Sequence, residues 1–192
     1  MSNDQQNPQT QRLKNEDSLG LVYFLSNIHA SCIATLIRRD FGKDALGWNS
    51  FLGMFLIFLV YAATEDQVVL AYLGIWFFCQ VVQRFRTYRL LRGGAVMHSR
   101  YAGYPYLAMQ VPFVRSQETA MGIIEPMLCL IAGTMLCPVS VNLGGFIMCG
   151  FLSFMVRNGI ESEIRRKRLE KMRDAELEQR WYSNAYKNGL EE

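Results

Sequence analysis

Several things that soluble enzymes rely on are scarce or missing in this 192-residue sequence. There are two histidines, His29 and His98, far apart in the chain, which is poor material for a metal centre. The five cysteines (Cys32, Cys79, Cys129, Cys137, Cys149) form no CxxC pair, which excludes a zinc ribbon or a dithiol redox motif. Five is also too few for a disulfide-stapled secreted domain. No P-loop, Gly-rich dinucleotide fingerprint or HExxH stretch is present. His98-Ser99-Arg100 offers a base, a hydroxyl and a cation but no orienting carboxylate, so no catalytic set is assigned. No cofactor and no enzymatic activity are expected.

Charge is sparse as well. Charged residues make up 19% of the chain, against about 25% in a typical soluble domain. Mean hydropathy is only +0.06, because charged blocks alternate with long uncharged runs. That segregation excludes both an ordinary soluble globular enzyme and a wholly disordered chain. It predicts an all-α, multi-pass helical membrane protein.

Four runs are long and apolar enough to span: Leu46 to Thr64, Gln67 to Gln83, Thr119 to Leu136 and Val141 to Val156. Each approaches the ~20 residues that cross a bilayer core. They pair into two hairpins, residues 46–83 and 119–156, closed by Glu65-Asp66 and by the Cys137-to-Ser140 link, where Pro138 suits a turn. Residues 1–17, amide-rich and without an apolar cluster, read as a disordered tail with no cleavable signal peptide. Residues 18–45 hold a basic linker preceded by Leu19 to Ile37, which carries no formal charge. Gly20, Tyr23, Asn27, Ser31 and Thr35 fall mostly on one face of that helix, opposite Leu21, Leu25, Ile28, Cys32 and Leu36. The polar content favours an amphipathic helix lying in the interface. A fifth span whose small-polar stripe packs into the bundle is the other reading.

Basic residues set the expected orientation. The connection 84–118 carries Arg84, Arg86, Arg89, Arg92, Arg100 and Arg115 against Glu118 alone. Arg38, Arg39 and Lys43 precede the first span, and Arg165 to Arg168 follow the fourth. All lie on one side if the two short links face out, which predicts a cytoplasmic middle loop and C-terminus. The N-terminus is cytoplasmic too, unless residues 19–37 span. Arg84, Arg86, Arg89 and Arg92 extend the second span as a helix toward anionic headgroups, and Gly93-Gly94 breaks it. A nucleic-acid partner is not expected.

Two segments stand out for recognition. Tyr101, Tyr104 and Tyr106 interleave with prolines in the middle loop, which fits an interfacial cap or a partner contact. Residues 157–192 read as a charged cytoplasmic helix and tail ending in an aromatic group that includes Trp181 and Tyr182. Its expected i,i+4 pairs are Glu161–Arg165, Glu163–Lys167 and Glu176–Arg180.

Inside the spans, Glu125 is the one ionisable carboxylate or base, and Pro126 follows it. An intramembrane carboxylate is an ion or proton site candidate. The alternative is a hydrogen-bonded Glu near a helix start, paired with a loop arginine such as Arg100. The expected function is a non-enzymatic membrane scaffold or assembly subunit binding a protein partner or a second copy through its loop and C-terminal helix. The other reading is a small oligomeric transporter or channel using Glu125.

Overall fold

The computed structural model of the chain describes residues 8–42, 47–94, 101, 103–112 and 114–188. Five helices carry it: α1 (Pro8–Ile37), α2 (Trp48–Thr64), α3 (Gln67–Arg92), α4 (Gln117–Leu136) and α5 (Val141–Asn188). Among the described residues there is no strand, only an isolated bridge between Arg39 and Tyr104. Four helices are long and apolar enough to cross a membrane: Leu19–Ile37 within α1, then α3, α4 and Val141–Lys187 within α5. Helix α2 is uncharged and mostly apolar but has 17 residues, the lower end of the ~17–25 that suffice. The protein is an all-α, multi-pass membrane protein. The chain divides into two compact units, Met1–Arg157 and Asn158–Glu192.

Within the first unit α1 lies at the centre. Ala30, Cys32, Ile33, Ala34 and Thr35 are all buried, so the helix is enclosed around its whole circumference there. An interfacial helix would keep one face in water or headgroups. Leu19–Ile37 is long and apolar enough to cross, and its second half, from Ile28, packs inside the bundle, while Leu19, Leu21, Val22, Phe24 and Leu25 are exposed; this favours the spanning reading over the interfacial one. Helices α1 and α3 run parallel in a fixed register. Gln80 donates to the Thr35 hydroxyl at 2.9 Å and Gln83 to the Arg38 carbonyl at 2.8 Å, each 45 residues apart in sequence. That offset sets residues 22–38 of α1 beside 67–83 of α3. Cys32, Ile57, Val69, Tyr72, Trp76, Leu143 and Ile147 form the main apolar core, while Ala30, Ile33, Ala34, Cys129 and Phe154 form a second one.

The bundle has two distinct ends. At the turn end, the α2–α3 and α4–α5 links clasp each other. Asp66 caps α3 by accepting from the Val68 N–H at 2.9 Å. Ser140 caps α5 by accepting from the Leu143 N–H at 3.0 Å. The Ser140 hydroxyl also donates to Asp66 at 2.5 Å, and the Asn142 amide to the same oxygen at 3.2 Å. Two helix caps are thus locked together across the two hairpins. Helices α4 and α5 approach closely near this end. A Cβ on Gly133 would stand 2.7 Å from the Met148 nitrogen, and one on Gly144 2.7 Å from the Cys137 nitrogen. Neither position has room for a methyl group.

The other end is basic. It gathers Arg38 and Arg39, which follow α1, the last turns of α3 with Arg84, Arg86, Arg89 and Arg92, and Arg115 ahead of α4. As expected, α3 runs on through these arginines and stops at Gly93, with Gly94 in a left-handed conformation at φ 81°.

Two further expectations are corrected. Helix α1 begins at Pro8, so residues 8–17 are helical where a disordered tail was expected; residues 2–7 lie outside the described set. In the second unit, Arg180 pairs with Glu176 at 2.6 Å as the spacing predicted. Glu163, however, meets Arg166 at 3.4 Å, and Arg166 also reaches Glu170 at 3.6 Å, because i,i+3 neighbours on a helix are as near as i,i+4 ones.

The clasp makes the fold acid-sensitive. Hydrogen bonds from the Ser140 hydroxyl, then the Val68 N–H and Asn142, hold the Asp66 carboxyl below its ordinary value of 3.8. A depressed folded-state value means that the contribution is present above pH ~4 and is lost as pH falls through the folded value. Melting in detergent should therefore show a drop in Tm on going from pH 6 to pH 3. Asp66→Asn should start lower and drop less. Gly144→Ala, which forces Cys137 or Gly133 to move, should lower Tm by several degrees at every pH.

Candidate functional site

The core of the basic end is polar, and α3 builds much of it. Residues 76, 80, 83 and 87 fall on one face of that helix, at the three-to-four spacing of a helical stripe. Trp76, Gln80, Gln83 and Thr87 are all buried there. Gln80 accepts from the Ser50 hydroxyl at 3.3 Å while donating to Thr35. Gln83 and Thr87 donate to the carbonyls of Arg38 and Phe41, the latter at 3.0 Å. These carbonyls belong to the stretch just past α1, where intrahelical partners run out. The side chains of α3 therefore finish the end of α1 inside the bundle.

Arg38 is the consequence of that arrangement. Its N–H still donates to the Ala34 carbonyl at 2.8 Å, so its side chain leaves from the last turn of α1. The guanidinium turns inward and meets Glu125. Its Nε donates to both carboxylate oxygens, at 2.8 and 3.1 Å, and Nη2 donates to Oε2. The pair is closed off from solvent, Arg38 at 1% and Glu125 at 0% exposure. The ring of Phe154 on α5 lies 5.6 Å from the guanidinium carbon. A fork-on-fork arginine–carboxylate pair is the geometry that best offsets the loss of hydration on both ions.

Glu125 reaches Arg38 from an altered helix. Residues Ala120–Ile124 form a π-helical turn, and the Glu125 N–H bonds to the Ala120 carbonyl. Pro126 follows and brings no N–H of its own. The wide turn absorbs that missing donor and sets Glu125 against α1 instead of toward lipid. π-Turns of this kind recur where a side chain has to be re-aimed.

The structure thus places Glu125 as a paired, helix-borne carboxylate. Its described partner is Arg38, not a loop arginine; Arg100 lies outside the described residues, as do His98 and Ser99. Read along the chain, Arg38 is only one of a basic trio before the first span. The signal that could have found it is an arginine directly at the end of the uncharged run 19–37 and a lone glutamate inside another apolar run. The half-buried pair His29–Ser153, Nδ1 to Oγ 2.7 Å, was missed as well.

The remaining site candidates separate. Tyr104 exchanges backbone hydrogen bonds with Arg39 at 2.9 and 2.6 Å, and the Tyr101 carbonyl accepts from the Gly42 N–H at 2.9 Å. The Arg39 guanidinium lies over the Tyr106 ring at 3.3 Å, a cation–π contact. The three tyrosines therefore cap the segment after α1, and each is half-buried. Arg84, Arg89 and Arg92 are exposed on α3, and Arg86 is half-buried. Trp181 and Tyr182 lie in the second unit, exposed and edge-to-face at 5.1 Å between ring centroids. Among the described residues, no three His, Cys, Asp or Glu side chains gather in a way that could hold a metal.

Comparison with protein-family models, curated proteins and solved structures returns no match.

Removing one partner of the buried pair leaves the other charge stranded. Arg38→Met or Glu125→Leu alone should each destabilise the bundle by about 3–5 kcal/mol, and the double variant should regain most of that. Unfolding by detergent titration in bicelles reads the three variants. Equal losses in single and double variants would contradict a pairwise interaction.

Proposed function

We propose that the chain is a non-enzymatic integral membrane scaffold or assembly subunit, with the basic end toward the cytoplasm, that docks a protein partner mainly through its C-terminal helix. The observation that carries the reading is the surface of the second unit. Every residue from Ser162 to Lys187 is exposed, and these include Leu169, Met172, Leu177, Trp181, Tyr182 and Tyr186. Charge runs around the whole helix, so its own packing offers it no apolar partner. Exposed Trp and Tyr in a group are the side chains that most often anchor an interface. The tyrosine loop then acts as a cap on the segment after α1 within the membrane unit.

The basic end is assigned to the cytoplasm because Lys and Arg near span ends are retained on that side. With α1 crossing, the N-terminus lies on the opposite side from the C-terminus. A transporter built on Glu125 is the less supported reading. Both carboxylate oxygens are taken by Arg38 in a closed core, which leaves no carboxylate poised toward a polar pathway.

The test is a photo-crosslinking amino acid in place of exposed Glu178, with recovery of the same complex by pull-down. The otherwise wild-type chain should give one discrete adduct, and Trp181→Ala/Tyr182→Ala/Tyr186→Ala should reduce recovery at least tenfold, the ~1.4 kcal/mol or more expected for losing an anchor. Unchanged recovery after deletion of residues 158–192 would remove the proposal.

A further inference from the structure

The first unit contains a large apolar groove that the proposed scaffold role does not use. It measures about 650 Å³ and is lined mainly by hydrocarbon side chains such as Ile33, Ile75, Ala132 and Ile147, from α1, α3, α4 and α5, with Tyr72 and Cys129 among them. It runs from Val68 and Leu136 near the turn end to Ile37 and Leu107 at the basic end. Protein interiors are close-packed, and voids beyond water size are few. A groove of this volume facing hydrocarbon is filled by something.

Its surroundings select the occupant. The walls carry hydrocarbon side chains, and Ile75 on α3 and Ala132 on α4 are exposed, so in a membrane-crossing bundle the groove meets acyl chains. An acyl chain is apolar along its length and flexible enough to follow an irregular groove, and unlike an apolar helix it brings a charged headgroup to the rim.

The rim then selects the headgroup. The Leu107 N–H bonds to the Ile37 carbonyl at 3.3 Å, which closes the basic end of the groove. Arg39 lies two residues beyond Ile37, and Tyr106 lies one residue before Leu107. Their cation–π pair therefore stands at that rim, with the guanidinium half-exposed. Among the described residues no carboxylate pairs with Arg39. A guanidinium resting on a ring keeps its N–H edge available for a phosphate. Its position is also right in depth, since Tyr rings with polar tips sit at the headgroup level.

We infer that this groove is a binding site for one anionic phospholipid, with an acyl chain along the α3–α4 groove and the phosphate on Arg39 beside Tyr106. Arg39 selects the anionic headgroup, and the groove supplies most of the affinity at ~0.8 kcal/mol per buried methylene.

Native mass spectrometry of the detergent-solubilised full chain, given phosphatidylglycerol or phosphatidylcholine with identical acyl chains, tests this. Wild type should retain one lipid, with phosphatidylglycerol favoured. Arg39→Gln should keep the lipid but lose about fivefold of that preference, the weight of one cation near an anionic headgroup. Ala132→Trp, which fills the groove, should lose both lipids. Circular dichroism and monodisperse gel filtration establish that the variants fold. If Ala132→Trp fails to fold, a photoreactive acyl chain on phosphatidylglycerol, crosslinked to wild type, decides the matter. Adducts concentrated on Ile75, Leu128 and Ala132 support the site. Adducts spread equally over lipid-facing residues such as Phe78 and Met135 overturn it. Retention unaffected by Ala132→Trp, or a change of oligomeric state with that variant in place of lipid loss, overturns it as well.

Discussion

Hydrocarbon does not hydrate charge, and one pair of side chains carries that constraint through this fold. Arg38 and Glu125 are each excluded from solvent. Neither could stay there alone without a penalty of several kcal/mol. Together they join α1 to α4, two helices 87 residues apart in sequence. Much around them serves the pair. The π-turn at Ala120–Ile124 precedes the carboxylate, α3 binds the Arg38 carbonyl, and Phe154 covers the guanidinium.

The same accounting explains why α1 is central. A helix with Ser31, Thr35 and His29 along it is a poor neighbour for lipid but a good one for other helices. Thr35 reaches Gln80, His29 reaches Ser153, and the Tyr72 hydroxyl donates to the Cys32 carbonyl at 3.1 Å. These polar groups find partners inside the bundle and need not be presented to hydrocarbon. The turn end uses charge differently. Asp66 is hydrated there and acts as a shared cap, so its contribution depends on pH and not on burial.

The distribution of exposed apolar surface separates the two units in kind. In the first, exposed residues such as Phe55, Phe77, Phe78 and Ile131 form the coat that a bilayer covers. In the second, exposed Leu169, Trp181 and Tyr186 are mixed with charge on every side. That mixture suits water and a protein surface, not a lipid one. A rigid membrane unit and a solvated helix with aromatic anchors is the division of labour behind the proposed scaffold role.

The hairpins, their turns, the extension of α3 to Gly93 and the continuous helix after Val141 were legible in the chain, because hydropathy and helix-breaking residues act locally. Glu125 was legible as an anomaly for the same reason: a single carboxylate in an apolar run is visible without knowing its surroundings. Its partner was not. Arg38 looks like any arginine flanking a span until the backbone of α1 stops one residue earlier and turns it inward. The placement of residues 19–37 escaped the sequence too, since small polar residues at that spacing serve a headgroup layer or a helix interface equally well. Composition and periodicity determined that this is a bundle of membrane-crossing helices with its basic residues gathered at one end. Only the tertiary structure decided which polar groups face one another, because satisfying a buried charge is a long-range matching of two distant segments that no local pattern encodes.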